Sequence, residues 1–553
     1  MTYRPINDNK QRVSRTLAVG LCSIGLSLVV QTTAQAQSLS TRHMRREVTS
    51  GQASFVSRLP ATQSMRLDIA LPLRNEAELD GLLKDLYDPQ SPLFHQFLSV
   101  QEFTERFGPT EPDYAEVIRF AEQNGLTVVA TSPNRLLLSV VGPVDNVERA
   151  FQVTMSSYQH PTEPRRFYAP DREPSPNLSV PLWHVSGLDN FSIPHPMGLQ
   201  RSSEARGGAT GSGPGGYFLG SDMRAAYYGG TSLTGKGQSV GLLEFAGYNV
   251  ADVNTYFNRV GQKLTVAVVG VSTDGSSLTC SRRCDDTEQV LDIEEAISMA
   301  PGMTQVRVYV SDTSDVSIFN KMATDNIAKS LSCSWGWSPA DPTSDDPIFK
   351  EFAAQGQSLF TASGDSGAYR NRSTNVYPAD DAFLSSVGGT DLTTSGPGGP
   401  WEAETAWGDS GGGISPNNIA IPSYQTTTGV ITTANKGSRT FRNSPDVAAE
   451  ANTDNYICYN GTCAGGWGGT SFAAPRWAGF IALVNQQSVT SGRSTVGFIN
   501  PAIYSIGLRS GYSTDFHDIT SGSNGTYSAV KGYDLVTGWG SPKGTSLINA
   551  LVP

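Results

Sequence analysis

Gly468-Gly469-Thr470-Ser471-Phe472-Ala473-Ala474-Pro475 sets two glycines ahead of a serine at the start of an apolar helix. The glycines let the backbone turn tightly, Thr470 and Ser471 can cap the helix that runs on through Trp477, and a helix N-terminus favours negative charge developing there. Taken alone, a serine in such a turn reads equally well as a simple N-cap. To act as a nucleophile it needs a base, ordinarily a histidine oriented by a carboxylate. Five of the six histidines (His43, His95, His160, His184, His195) precede residue 200, and only His517 follows. Either His517 or a carboxylate must therefore take the proton.

Carboxylates are well placed to do so. In Glu288-Gln289-Val290-Leu291-Asp292-Ile293-Glu294-Glu295, helical spacing puts Glu288 and Asp292 one turn apart on one face, with Val290, Ile293 and Ile297 on another. No lysine or arginine stands three or four residues away to relieve the repulsion, so a proton shared between the two carboxyls is expected, beside the plainer reading of an exposed acidic face. Ser363-Gly364-Asp365-Ser366-Gly367 directly follows the apolar strand Ser358 to Ala362 and has tight-turn composition. An aspartate at such a strand end can, once protonated, donate a hydrogen bond to an oxyanion. That species exists in acid, where a glutamate of reference pKa about 4.3 can still serve as a base.

The chain of 553 residues is long enough for two folded units, and its net charge of -11 argues against nucleic acid as a partner. Residues 1–36 have the layout of a secretory signal: Lys10, Arg12 and Arg15, an apolar run from Leu17 to Val30, and Ala34-Gln35-Ala36 as the cleavage site. Secretion to the periplasm or the extracellular space follows, with no membrane span after signal removal. In an exported protein Cys280/Cys284 and Cys458/Cys463 most simply form two local disulfides, leaving Cys333 as a buried free thiol.

Residues 37–197 read as a compact α+β domain. A strand at Met65 to Leu71 precedes a helix opened by an Asn75/Glu78 capping box, whose Leu79, Leu82, Leu83 and Leu86 share a face. A helix from Asp113, strands at Leu126 to Ala130 and Leu136 to Val141, and a helix around Val147 to Phe151 follow, implying a small antiparallel sheet with helices on one face. Residues 198–216 have linker composition and invite processing. From 217 to 553 buried-type strands (Ser239 to Phe245, Gln305 to Val310, Ser330 to Ser334, Ser358 to Thr361, Phe383 to Val387) alternate with helices (Glu288 to Met299, Asp315 to Ala328, Ser471 to Asn485). That is an α/β pattern with a mostly parallel sheet covered on both faces.

Together the three motifs resemble the sedolisins, serine-carboxyl peptidases of subtilisin-like fold made with an N-terminal activation prodomain, here ferredoxin-like. The resemblance extends over His95-Gln96-Phe97-Leu98-Ser99, Ser334-Trp335-Gly336, Gly388-Gly389-Thr390, Gly411-Gly412-Gly413 and Pro445-Asp446-Val447. It implies Ser471 as nucleophile, Glu288 as general base, Asp292 as its orienting partner and Asp365 as oxyanion donor. Ser334, Trp335 and Gly336 are expected to bind an extended peptide by β-addition. Glu244, which stands where subtilisins carry their triad aspartate, is not catalytic in sedolisins.

Near the C-terminus the resemblance implies one structural Ca2+, held by Asp518, the carbonyls of Ile519, Val530 and Gly532, and Asp534; Val530 stands where a glycine is common. The expected protein is thus a secreted, monomeric, acid-acting endopeptidase, made as a zymogen with its own prodomain as intramolecular inhibitor and with protein or peptide substrates. A tripeptidyl exopeptidase and an inactive peptide-binding relative are the alternatives. Arg370 and Arg372 hint at tolerance for acidic substrate side chains.

Overall fold

The computed structural model describes residues 39–202, 210–280, 284–340, 343–369 and 376–552. The signal with its cleavage site, linker residues 203–209, Arg370 and Arg372 lie outside them. Among the described residues no helix is long and apolar enough to cross a membrane.

The N-terminal half is built from β1 (Ser64–Ala70), α1 (Glu76–Leu86), α2 (Glu111–Gln123), β2 (Thr127–Thr131), β3 (Leu137–Pro143), α3 (Val144–Phe151) and β4 (His184–Ser186). Its strands form an antiparallel sheet in the order β2-β3-β1-β4. Leu67, Ile69, Leu138 and Val140 from the sheet pack on Val117, Phe120, Val147 and Phe151 from α2 and α3. The apolar face of α1 goes elsewhere: Leu79, Leu82, Leu83 and Leu86 share a core with Phe319, Phe349 and Phe352 of the C-terminal half. Each buried leucine contributes roughly 1.5–3 kcal/mol, so this helix clamps the two halves together. The capping box expected at Asn75 does not form. Asn75 adopts φ +53° and donates through Nδ2 to Arg106 O at 3.1 Å, while Ser99 and Glu102 make a capping box on the next helix, Val100–Arg106.

Two short strands, β5 (His195–Pro196) and β6 (Gln200–Arg201), lead out of this half. The C-terminal half comprises β7 (Ser239–Glu244), β8 (Ala267–Ser272), α4 (Thr287–Met299), β9 (Gln305–Val310), α5 (Asp315–Asp325), β10 (Ser330–Cys333), β11 (Trp335–Gly336), α6 (Asp346–Ala354), β12 (Ser358–Ala362), β13 (Ser385–Thr394), β14 (Trp401–Ala406), β15 (Val447–Glu450), β16 (Thr462–Gly468) and α7 (Thr470–Thr490). The main sheet runs β8-β9-β7-β10-β12-β13-β14, with β15 also paired to β13. Every pairing is parallel except that of β13 with the edge strand β14. Crossover helices cover a parallel sheet on both faces, which is why β7, β10 and β12 are buried along their whole length. Helices α4 and α7 pack on one another, and the carboxyl ends of β10 and β12 open beside them. Ligands bind at such strand ends.

Cys280–Cys284 and Cys458–Cys463 are disulfides, and Cys333 is free and buried.

Candidate active site

Gly469, the residue just before helix α7, has φ +155°, and a Cβ added there would lie 2.7 Å from Asp365 Oδ2. Glycine is required on both counts. Thr470 and Ser471 do not cap the helix as expected. The cap comes from the end of β12: Asp365 Oδ1 accepts the Thr470 N–H at 2.6 Å and the Thr470 hydroxyl at 2.8 Å, while Thr470 Oγ1 accepts the Gly364 N–H at 2.9 Å. A carboxyl reaching across from another strand thus frees the Ser471 hydroxyl, which is buried and has no hydrogen-bond partner among the described residues. Asp365 Oδ2 is likewise unbonded, and burial pushes the Asp365 carboxyl up to about 7.

Every residue of α4 is buried, so no exposed acidic face exists. Glu288 faces the Ser471 hydroxyl without closing a hydrogen bond of ordinary geometry. Such contacts often tighten only when substrate is bound. One turn on, Asp292 Oδ1 accepts from Ser334 Oγ at 2.8 Å, and its carboxyl lies beside that of Glu244. Glu244 in turn accepts from Trp335 Nε1 at 2.9 Å. Burial is the largest cause raising the pKa of all three acids; the charge of Asp292 adds to it at Glu288, and that of Glu244 at Asp292. Three carboxyls in a row, none in an ion pair among the described residues, retain protons well above the usual range.

Glu244 is the residue that sequence reasoning set aside. It completes the row Ser471, Glu288, Asp292, Glu244, Trp335, and the available signal was an acid placed directly after the buried run Val240 to Leu243. His517 takes no part: it stacks on Trp401 with ring centroids 4.0 Å apart, and burial pushes it down to about 4.

The cleft beside Ser471 holds a segment of the same chain. Strand β5 pairs antiparallel with β11, Pro196 against Trp335 and His195 against Gly336, and the Met197 N–H donates to Ser334 O at 3.2 Å. The Asp365 N–H donates to Met197 O at 3.2 Å. Gly198 then turns with φ +106°, and β6 resumes pairing on β16, Gln200 against Gly468 and Arg201 against Trp467. Residues 195–201 therefore pass through the site as an added strand, pinned on both sides of the N-terminus of α7. The expected peptide-binding stretch divides its duties. The Ser334 side chain holds Asp292 while its carbonyl takes the tail, and Trp335 packs its ring in the core while its backbone lines the cleft. An open volume of about 520 Å3 remains beside Pro196 and Leu199, bordered by Asp285, Glu288, Gln289 and Trp467.

At the C-terminal loop Asp518 Oδ1 accepts the Gly532 N–H at 3.1 Å, and Asp534 accepts the N–H groups of Val530, Val536 and Thr537 at 2.9–3.0 Å. Burial pushes Asp534 up to about 7. The carbonyls of Ile519, Val530 and Gly532 accept no hydrogen bond among the described residues. Two carboxylates and three free carbonyls are a hard-oxygen donor set that fits Ca2+. No cluster of three or more His, Cys, Asp or Glu side chains able to hold a metal occurs among the described residues, so the carbonyls would have to supply the remaining ligands.

A parallel α/β sheet carrying a serine at the head of a buried helix, with acids in place of histidine, defines a subtilisin-like serine peptidase of the carboxyl type. Residues 292–496 match the subtilase family, and residues 51–191 match the family described as "Pro-kumamolisin, activation domain". Kumamolisin of Bacillus sp. (strain MN-32) is 31% identical over 550 residues, covering 92% of this chain and 97% of its own. A tripeptidyl-peptidase of Aspergillus fumigatus, sed5, is 27% identical, covering 82% of this chain and 88% of its own. The solved structure of Pseudomonas sedolisin, a serine-carboxyl proteinase complexed with pseudo-iodotyrostatin, superposes with TM-score 0.53 at 27% identity, covering 62% of this chain and 98% of that one. The chain belongs to the sedolisin family of serine-carboxyl peptidases, with its activation domain attached.

Proposed function

We propose that this protein is a secreted, acid-acting endopeptidase held inactive by residues 195–201. The observation that carries this reading is the added strand crossing Ser471, because a cleft that pairs with backbone on both sides of its serine is built for an extended peptide. In the proposed reaction Ser471 Oγ attacks the carbonyl carbon and Glu288 takes the hydroxyl proton. Protonated Asp365 donates to the oxyanion; the C–N bond then breaks, and the leaving amine receives the proton from Glu288. Water, deprotonated by Glu288, attacks the acyl carbon; the ester bond to Ser471 Oγ breaks, and that oxygen takes the proton back from Glu288. Asp292 and Glu244 share a proton and hold Glu288 in place. Glu288 must be ionised to start, and burial is what chiefly opposes that. Departure of the tail rehydrates the cleft and removes part of that opposition.

Acid dependence follows from Asp365. Its raised pKa means that it is protonated, and able to donate, below about 7. The same shift couples to stability: its contribution is full below the reference carboxyl value of about 4 and is lost as pH rises through about 7.

The endopeptidase reading stands against the tripeptidyl alternative, in which the substrate's free N-terminus would lie three residues before the cleaved bond. Comparing an N-acetylated with a free peptide of one sequence tests it: equal rates are expected, and a rate abolished by the cap would establish the tripeptidyl alternative. Self-processing is expected at Met197–Gly198, whose carbonyl is the one fixed beside Asp365, ahead of the arginine-bearing linker. Mass measurement of the processed enzyme should find a new N-terminus at Gly198. Ca2+ held by Asp518, Asp534 and the carbonyls of Ile519, Val530 and Gly532 would fix the C-terminal loop. Chelation should then lower Tm, by the equivalent of about 2.7 kcal/mol if the free ion stood at a hundred times its Kd; an unchanged Tm would speak for no bound ion.

A further inference from the structure

The five histidines of the N-terminal half are spent on none of the chemistry above, and two of them meet. His43 and His184 stack with ring centroids 4.6 Å apart and planes 17° from parallel. His43 is buried, and its Nε2 accepts the Val185 N–H at 3.0 Å, so that nitrogen carries no proton. Its Nδ1 therefore bears the hydrogen and faces Glu173 Oε2 at 3.6 Å. Glu173 also accepts the N–H groups of His43 and Met44, at 2.9 and 3.1 Å. His184 Nδ1 is bonded to Thr41 Oγ1 at 2.7 Å. The other charged groups around the pair are Arg42, Arg45, Asp189 and, from the C-terminal half, Asp315, all lining one cavity with His184; Arg45 pairs with Asp189 at 2.9 Å.

A proton added to His43 Nε2 sets two donors, that N–H and the Val185 N–H, head to head. A second proton would stack two imidazolium rings. Burial first, then His43 and Arg45, hold the His184 pKa well below the ordinary imidazole value, as that geometry requires. Val185 lies in β4, held on β1 opposite Ile69, and eight residues separate β4 from β5 in the cleft. Trp183, just before β4, donates through Nε1 to Thr343 O of the C-terminal half at 2.9 Å. Whatever loosens β4 therefore slackens the segment that feeds the inhibitory tail.

We propose that the stacked His43–His184 pair is an acid latch: protonation breaks the bond to Val185, frees β4 and loosens residues 187–201, so that the tail is released from the cleft once it is cut. This rests on reading the tail as an inhibitor. The latch is local, because a carboxyl at the same domain boundary responds in the opposite sense. Glu351 accepts from Asn134 Nδ2 at 2.7 Å and is pushed by burial up to about 8, so acid keeps that contact intact.

The test uses the full-length Ser471→Ala chain, which cannot process itself, and measures hydrogen-exchange protection factors of residues 39–45 and 183–201 as pH falls from about 7 to about 4, the range in which imidazole titrates. Protection in both segments is expected to drop at least tenfold, with a midpoint between those limits. In the background of His43→Gln with His184→Phe, which keeps an acceptor for Val185 and an aromatic stack but removes both titrations, the midpoint should move down by at least about one pH unit. Should that double variant lack protection already at about pH 7, His43→Gln alone carries the same comparison. Full protection of the parent down to about pH 4, or a midpoint shared by parent and variant, overturns the latch. Because exchange and not hydrolysis is read, the outcome stands apart from that of the peptidase reading, which a separate rate assay decides.

Discussion

Helix α4 meets helix α7 along two consecutive turns, and the two turns treat acids differently. At the first, Glu288 and Asp292 lie buried opposite Ser471, and neither is in an ion pair among the described residues. At the second, Glu295 is equally buried but receives Arg476 Nε at 2.7 Å, and Arg476 goes on to bond Glu450 O and Asn455 Oδ1. Burying a charge is costly unless it is paired and hydrogen-bonded. The Glu295 turn follows that rule and reads as architecture. The Glu288 turn departs from it, and a site where local consistency is given up is where function is to be sought.

Substitution can break or sharpen this contrast. Ser471→Ala should remove about 10^4–10^6-fold of kcat while leaving the thermal transition in place, measured on an N-acetylated peptide in acid. Glu288→Gln, isosteric but unable to take a proton, should cost about 10^2–10^4-fold in kcat; full activity would erase the distinction between the turns. Glu295→Ala should act the other way. Stranding the Arg476 cation should lower stability by about 3–5 kcal/mol in denaturant unfolding, with activity per folded molecule kept. Asp365→Ala should cost about 10^2–10^3-fold, whereas Asp365→Asn keeps a donor that does not ionise, so its rate should no longer fall as pH rises through about 7. The smallest effect is expected for Glu244→Gln, about tenfold in kcat with a displaced pH profile, because it stands one carboxyl further from Ser471 than Asp292 does.

Much of the site was legible because its members sit in local motifs. Spacing of four put Glu288 and Asp292 together, and a glycine-flanked aspartate at a strand end marked Asp365. What was illegible is non-local. Nothing in the sequence says that Asp365 caps a helix more than a hundred residues away, or that Trp335 reaches Glu244 across two strands. The fold was read in its longer elements and missed in its weaker ones. β8 contains a glycine, β15 spans four residues, and α5 stops at Asp325 where Asn326 turns left-handed, short of the expected Ala328. The leucine face of α1 was recognised as a face, but periodicity cannot say that it packs on the other domain.

The tail through the cleft has a kinetic consequence. While residue 197 is joined to 198, the inhibitor is tethered, and its local concentration, on the order of millimolar for short linkers, does not change with dilution. Once that bond is cut, blockade of the cleft becomes a bimolecular equilibrium. On the proposed reading, a prodomain that blocks the cleft at high concentration would lose its hold on dilution, with no further chemistry required.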